Sequence, residues 1–189
     1  YSQYGVLIYQ GQATMSDNSF ENGSGHAVAC IQGEITLTQQ ITDTTVASTY
    51  RSYEEYIGGV LSGSGSLPSI YPAMYIEKCD STLNDIQFSD TVAMAVQVRG
   101  GTHTMTDVTV ERSPSGSTFT FESGVVFTDT WTRDGLPESD PTHVTLTDFS
   151  VNETGWGSGM TFLAAMTEEG APISTLTATN LSISNTGST

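Results

Sequence analysis

Short apolar runs punctuate the chain. They are VLIY (6–9), AVACI (27–31), AMYI (73–76), AMAVQV (93–98), TFTF (118–121) and MTFLAAM (160–166). Polar or Gly-containing turns such as YQGQAT (9–14), IQGEIT (31–36) and RGGTHT (99–104) follow several of them. A second kind of segment then appears: MSDNSF (15–20), LNDIQF (83–88), MTDVTV (105–110), FTDTWT (127–132), LTDFSV (146–151) and ATNLSI (178–183). Each copy alternates apolar and polar residues around a central Asp or Asn, the signature of a half-buried strand. Asp85, Asp107 and Asp129 are 22 residues apart, and 22 beyond Asp17 lies Gln39 in the weaker copy LTQQIT (37–42). Asp148 and Asn180 follow at intervals of 19 and 32 residues, as expected where some turns carry longer loops.

One unit therefore reads as strand, turn, strand, Asp/Asn corner, short strand and a Gly/Ser-rich return such as ENGSG (21–25) or ERSPSG (111–116). A period of 22 residues is shorter than the helix-containing repeats, at ~33 to 34 residues, and suits one turn of a parallel β-helix. The fold class expected is all-β, a solenoid of six to seven turns stacked ~4.8 Å apart.

The corner has a physical cause. In MTDVTV, Met105, Val108 and Val110 all reach the interior only if the chain bends between Met105 and Val108 and resets the alternation. A left-handed residue makes that bend, and after Gly the best tolerated are Asn and Asp. Asp17, Asp85, Asp107, Asp129, Asp148 and Asn180 are thus expected as a structural corner ladder.

Two long stretches and one short one break the rhythm of the single domain 1–189. Within the insertion 43–72, Tyr50, Tyr53, Ile57, Val60 and Leu61 fall at helical spacing, with Ser48 as a cap and Gly63 as a stop, which predicts a short helix; an irregular turn is the alternative. Residues 130–144 carry Gly-Leu-Pro and Asp-Pro turn signals and predict a projecting loop, and 168–173 a smaller one. Tyr50, Tyr53 and Tyr56 offer an aromatic surface for packing, for sugar rings or for a protein.

On these repeats the chain resembles the right-handed parallel β-helix proteins, with PbH1-type repeats like those of polymorphic outer-membrane-protein-like surface proteins, adhesins, tailspikes and pectate-lyase-like enzymes. The resemblance spans residues 6–42 and 73–186. It implies a right-handed coil and an extracellular setting, and it leaves catalysis open, because the fold hosts binding and structural proteins as well as enzymes. If the chain were a lyase, Arg99, Lys78 and Arg112 would be the bases, and Glu77, Glu111 and Glu122 the acids facing Ca²⁺. No carboxylate pair among Asp80, Asp90 and Glu122 is singled out for a glycosidase. No catalytic residue is assigned.

Composition narrows the choice further. With 21 acids against 5 Lys and Arg, the net charge is −16, which repels phosphate backbones and anionic lipid. Nucleic-acid partners and polyanionic substrates are disfavoured. No run approaches the ~18 to 20 apolar residues of a membrane-spanning helix. Cys30 and Cys79, the only cysteines, are placed on neighbouring turns if 43–72 is an insertion, and a disulfide pinning that insertion is expected. Asn22, Asn152 and Asn180 match the glycosylation acceptor pattern of secreted chains. His26, His103 and His143 are isolated and expected to face solvent from turns or strand starts, while Glu77, eight residues before Asp85, and Arg99, eight before Asp107, are expected to stack on adjacent turns as a surface ion pair.

The expected function is an extracellular structural or adhesive protein that self-associates end to end, because a β-helix has open ends carrying unpaired backbone groups. The alternatives are a pectate-lyase-like polysaccharide-active enzyme and a non-catalytic module binding Ca²⁺ or cell-surface glycan.

Overall fold

Left-handed bends at regular positions decide the architecture. The computed structural model describes residues 4–21, 26–43, 50–57, 60–68, 72–89, 94–111, 123–133, 136–152, 158–164 and 173–186. In chain order the strands are β1 (Tyr4–Tyr9), β2 (Gln12–Glu21), β3 (His26–Ile31), β4 (Glu34–Asp43), β5 (Tyr50–Ile57) and β6 (Val60–Pro68). Then come β7 (Met74–Glu77), β8 (Asp80–Ser89), β9 (Val96–Arg99), β10 (Gly101–Glu111) and β11 (Ser123–Thr128). The last are β12 (Thr130–Arg133), β13 (Leu136–Ser139), β14 (Thr142–Asn152), β15 (Ser158–Leu163) and β16 (Thr175–Ser184). The described residues contain no helix.

Two six-stranded parallel sheets carry the fold, one ordered β1-β3-β7-β9-β11-β15 and the other β2-β4-β8-β10-β14-β16. The chain alternates between them, so each short strand of the first sheet is followed by a long strand of the second. Six such passes are seen among the described residues, and corresponding strands pair in register. The 22-residue offset of Met74↔Val96 and Leu83↔Met105 is the sequence period expressed as strand pairing.

The interior is an apolar column fed by both sheets. Val28, Ile76, Val98 and Phe127 come from the first and Leu83, Met105, Val110, Phe149 and Val151 from the second, all at most 2% exposed. Burying a side chain of this size contributes ~1.5 to 3 kcal/mol, so the column supplies most of the driving force.

The bends occur where sequence places them, with one exception. Asp17, Asp85, Asp107, Asp148 and Asn180 adopt φ between 52° and 56°. Each interrupts a long strand at the same register position, and Asn180 Nδ2 donates to Asp148 Oδ1 at 2.8 Å across neighbouring turns. Asp129 is not in this ladder. It ends the first-sheet segment after β11, is 4% exposed, and accepts a hydrogen bond from Ser174 Oγ at 2.7 Å on Oδ2. FTDTWT is therefore no copy of the corner motif; the corner of that turn is Asp148, reached only after an inserted hairpin.

Neighbouring Asp85, Asp107 and Asp148 stack like charges ~4.8 Å apart. Replacing Asp107 by Asn keeps a residue suited to the left-handed bend and removes that repulsion, with an expected gain of about 0.5 kcal/mol or more in urea unfolding. Asp107→Val is expected to lose at least about 1 to 2 kcal/mol, because a β-branched residue opposes the bend. Equal stability of the two variants would show that the corner does not constrain the backbone.

Both insertions are hairpins. The segment expected as a helix holds β5 and β6 paired antiparallel, from Tyr50↔Pro68 to Ile57↔Val60, with a register irregularity at Glu55/Tyr56. Tyr50, Tyr53 and Val60 are strand formers, and the Ser/Gly alternation of 62–66 carries no helical propensity, so β preference prevails over the apolar spacing. The expected loop 130–144 contains the antiparallel pair β12–β13, and its last residues, Thr142 to Val144, already belong to β14. The hairpin root is closed by Asp140 N donating to Asp129 O at 2.9 Å. TFTF (118–121) and most of 168–173 lie outside the described residues.

Cys30 on β3 and Cys79 just after β7 are joined by a disulfide, with Cα atoms 6.1 Å apart and both side chains fully buried. The bond ties two adjacent turns across the β5–β6 insertion.

Candidate functional site

The turns from first to second sheet form a second left-handed column that sequence reading missed. Gln10, Gln32 and Lys78 have φ of 52°, 56° and 49°, and Gly100 completes the row at 70°. Backbone pairing continues through it: Gln10 N donates to Ile31 O, Gln32 N to Glu77 O and Lys78 N to Arg99 O, at 2.8 to 2.9 Å. Asp129 occupies this row, its N donating to Leu163 O at 3.2 Å. Gly101 follows at φ 100°, where a Cβ would lie 2.6 Å from the Cys79 carbonyl oxygen, so only Gly fits. The repeated polar-Gly turns QG and RGG were the available signal.

Beside this column runs an open groove of about 490 Å³ lined by Gly33, Lys78, Asp80, Gly101, Thr102, Asp140, Pro141 and His143. Asp80 Oδ1 accepts from Thr102 N at 2.8 Å, and His143 Nδ1 contacts Thr175 Oγ1 at 3.0 Å. Its carboxylate and imidazole are thus engaged in linking turns. Gln12 Nε2 donating to Glu34 Oε2 at 2.7 Å, and Gln10 Nε2 to Gln32 Oε1 at 2.9 Å, extend the same stitching.

Two histidines expected in solvent are buried. His103, 1% exposed, sits two residues before Met105 on the inward face of β10, an alternation visible in the sequence. Its Nε2 donates to Gly100 O at 3.0 Å, which leaves Nδ1 to accept from Ser81 Oγ at 2.9 Å. Burial, opposed by the Gly100 hydrogen bond and the Asp80 charge, pushes its pKa down to about 4. His26 stacks between Tyr4 and Tyr75 at centroid distances of 5.4 and 5.2 Å, and its Nδ1 donates to Pro72 O at 2.7 Å. Burial also lowers its pKa. The Ser81–His103 pair is sealed inside the core, so it is packing chemistry rather than a nucleophile and base.

The candidate lyase set is dispersed. Glu77 and Arg99 are register partners on β7 and β9, but Glu77 is 3% exposed and receives a hydrogen bond from the Tyr75 hydroxyl. Arg99 lays its guanidinium 5.3 Å from the Tyr75 ring centroid and donates to the Tyr75 oxygen at 3.2 Å. Both are locked into side-chain packing instead of facing a cleft. Lys78 lies in the groove, while Arg112 and Glu122 are outside the described residues. Glu111 ends β10 in the other sheet from Glu77, and no group of three His, Cys, Asp or Glu able to hold a metal occurs among the described residues. Glu77 and Glu111 therefore do not fit a shared Ca²⁺ site.

Of the glycosylation acceptors, Asn22 lies outside the described residues. Asn152 Oδ1 accepts from Ser184 Oγ and Asn185 Nδ2 at 2.9 and 2.8 Å, and exposed Asn180 is in the corner ladder. Tyr50, Tyr53 and Tyr56 lie on β5, with side chains outside the described structure.

The first and last passes carry exposed apolar side chains. Among the residues whose side chains are described, the exposed large apolar ones lie in the first or last pass: Leu7, Tyr9 and Leu163 on the outer face of the first sheet, and Ile173, Leu181 and Ile183 in or just before β16. Leu181 and Ile183 are register partners of Phe149 and Val151, yet they are 37% and 43% exposed where their partners are 0% and 1%. The interior column thus runs out into solvent at β16.

The class these features define is all-β with two parallel sheets and inserted hairpins. The chain matches no family model, no curated protein and no solved structure. No described helix is long and apolar enough to cross a membrane.

Proposed function

We propose that the chain is a right-handed parallel β-helix that serves as an extracellular structural or adhesive element and self-associates end to end. What carries this reading is that Leu181 and Ile183 continue the core column of Phe149 and Val151 into the last pass, where nothing described covers them. Edge strands with free backbone groups are templates for pairing with another chain.

The ends also match each other. β16 and β2 both have ten residues, and the left-handed residue is the sixth in each, Asn180 and Asp17. β15 and β1 both have six residues. Stacking β16 of one copy on β2 of the next continues the parallel sheet with the bends aligned, and it sets a neutral Asn180 amide rather than a second carboxylate beside Asp17. Such a head-to-tail contact does not close on itself, so it grows into a fibre. The disulfide supports an oxidising compartment.

Sedimentation velocity across a concentration series tests this. Wild type is expected to shift to larger species as concentration rises. Leu181→Glu with Ile183→Glu should remain monomeric with unfolding free energy within about 1 kcal/mol of wild type, because both positions are more than a third exposed and a carboxylate there can reach water. A variant that still assembles would place the contact elsewhere.

A further inference from the structure

The outer face of the second sheet repeats one chemistry. Thr14, Thr36, Thr82, Thr104, Thr145 and Thr177 are successive register partners, one per pass, and five of the six are exposed. Two residues further along each strand stand Ser16, Thr38, Asn84, Thr106, Thr147 and Thr179, again outward-facing and in register. Of these twelve positions ten are Thr and none is charged, in a chain of net charge −16.

Strand propensity does not explain the array. The outward positions of the first sheet, equally extended, hold Leu7, Tyr9, Tyr75, Gln97, Arg99, Val126, Thr128 and Thr161, a mixture with no unbroken threonine row. Solubility does not explain it either, since acids would serve better. They border the strip instead, with Glu34 and Asp80 before it and the Asp corner after it.

We infer that this strip binds the ordered water lattice of an ice surface. Neighbouring passes repeat every ~4.8 Å and alternate residues along a strand every ~6.6 Å, so the strip is a two-dimensional grid about 24 Å long. Each Thr presents a hydroxyl that donates and accepts, and a methyl group that restricts the orientation of adjacent water. A grid fixed by backbone pairing imposes its spacing on first-shell water, reducing the entropy lost when those waters join a crystal. A charged group would orient water around itself and break the repeat. The corners that reset each strand keep the two columns aligned from pass to pass.

Thermal hysteresis and ice-crystal shaping, measured on full-length protein, test the inference. The Leu181→Glu, Ile183→Glu variant serves as a second background, because the strip does not depend on assembly. Faceted crystals and a gap between melting and freezing points are expected in both. Thr104→Lys and Thr145→Lys should each weaken ice binding about tenfold, equivalent to about 1.4 kcal/mol, and so abolish most of the hysteresis, with the circular dichroism spectrum unchanged. Gln97→Lys, on the outer face of the other sheet, should leave it intact. Round, unshaped crystals with folded wild type at millimolar concentration would overturn the inference. So would equal loss in Gln97→Lys, or co-sedimentation with crystalline cellulose or chitin in the absence of ice activity.

Discussion

Replacing Cys30 and Cys79 together by Ala is expected to lower the unfolding free energy by about 4 kcal/mol. The bond closes a loop of 49 residues, and the chain-entropy relation for a loop of that size gives about this value. That is a large part of the 5 to 15 kcal/mol typical of a folded domain. The mechanism is specific to this topology: the crosslinked residues sit on adjacent turns, and the span between them contains the β5–β6 hairpin. Without the bond, the unfolded chain regains the freedom of that whole span. Guanidinium unfolding of the variant against wild type measures it. A difference below about 1 kcal/mol would mean that pairing between β3 and β7 fixes the two turns unaided.

Acidification is the second large effect. His103 titrates at about 4 in the folded protein and near 6.5 when unfolded, because its buried imidazole resists charging. Between these values the unfolded chain holds the extra proton, so stability is full above pH 6.5 and falls as pH drops towards 4. The loss from this residue is about 3 kcal/mol. His26 acts in the same direction. His103→Gln can retain both hydrogen bonds, to Gly100 O and from Ser81, without titrating. Its destabilisation relative to wild type, measured in urea at pH 7, should therefore shrink or reverse at pH 4.5. A constant difference would show that His103 is not the group linked to acid sensitivity.

The architecture was legible because its determinants are local and periodic. Apolar alternation, a left-handed corner at Asp107 and its kin, and the 22-residue offset each constrain the chain within a few residues. Where the period is stretched by an insertion, the reading slipped. Asp129 shares the corner motif and lies 22 residues past Asp107, yet a hairpin intervenes and passes the corner role to Asp148. The helix expected in 43–72 failed for a related reason: tyrosines three apart satisfy a helical period, while Gly and Ser alternating in 62–66 favour an extended pairing partner.

Function was less legible because it depends on surfaces assembled from distant residues. Glu77 and Arg99 were rightly paired by register, but burial against Tyr75 makes them packing groups, which no spacing rule reveals. The exposure of Leu181 and Ile183 is likewise invisible in ATNLSI, which reads like any interior copy. Only their position in the last described pass leaves these core residues exposed. The threonine columns stood in plain sight as TLT, TMT and TAT, but their alignment across six passes emerges only when the insertions are removed by the fold.

Electron microscopy of concentrated protein, combined with fibre diffraction, addresses end-to-end stacking most directly. Filaments are expected with a subunit repeat of about 29 Å, six passes at ~4.8 Å each, and a strong ~4.8 Å reflection along the filament axis. Discrete monomers at every concentration, or assemblies whose 4.8 Å spacing runs across rather than along the axis, would contradict it.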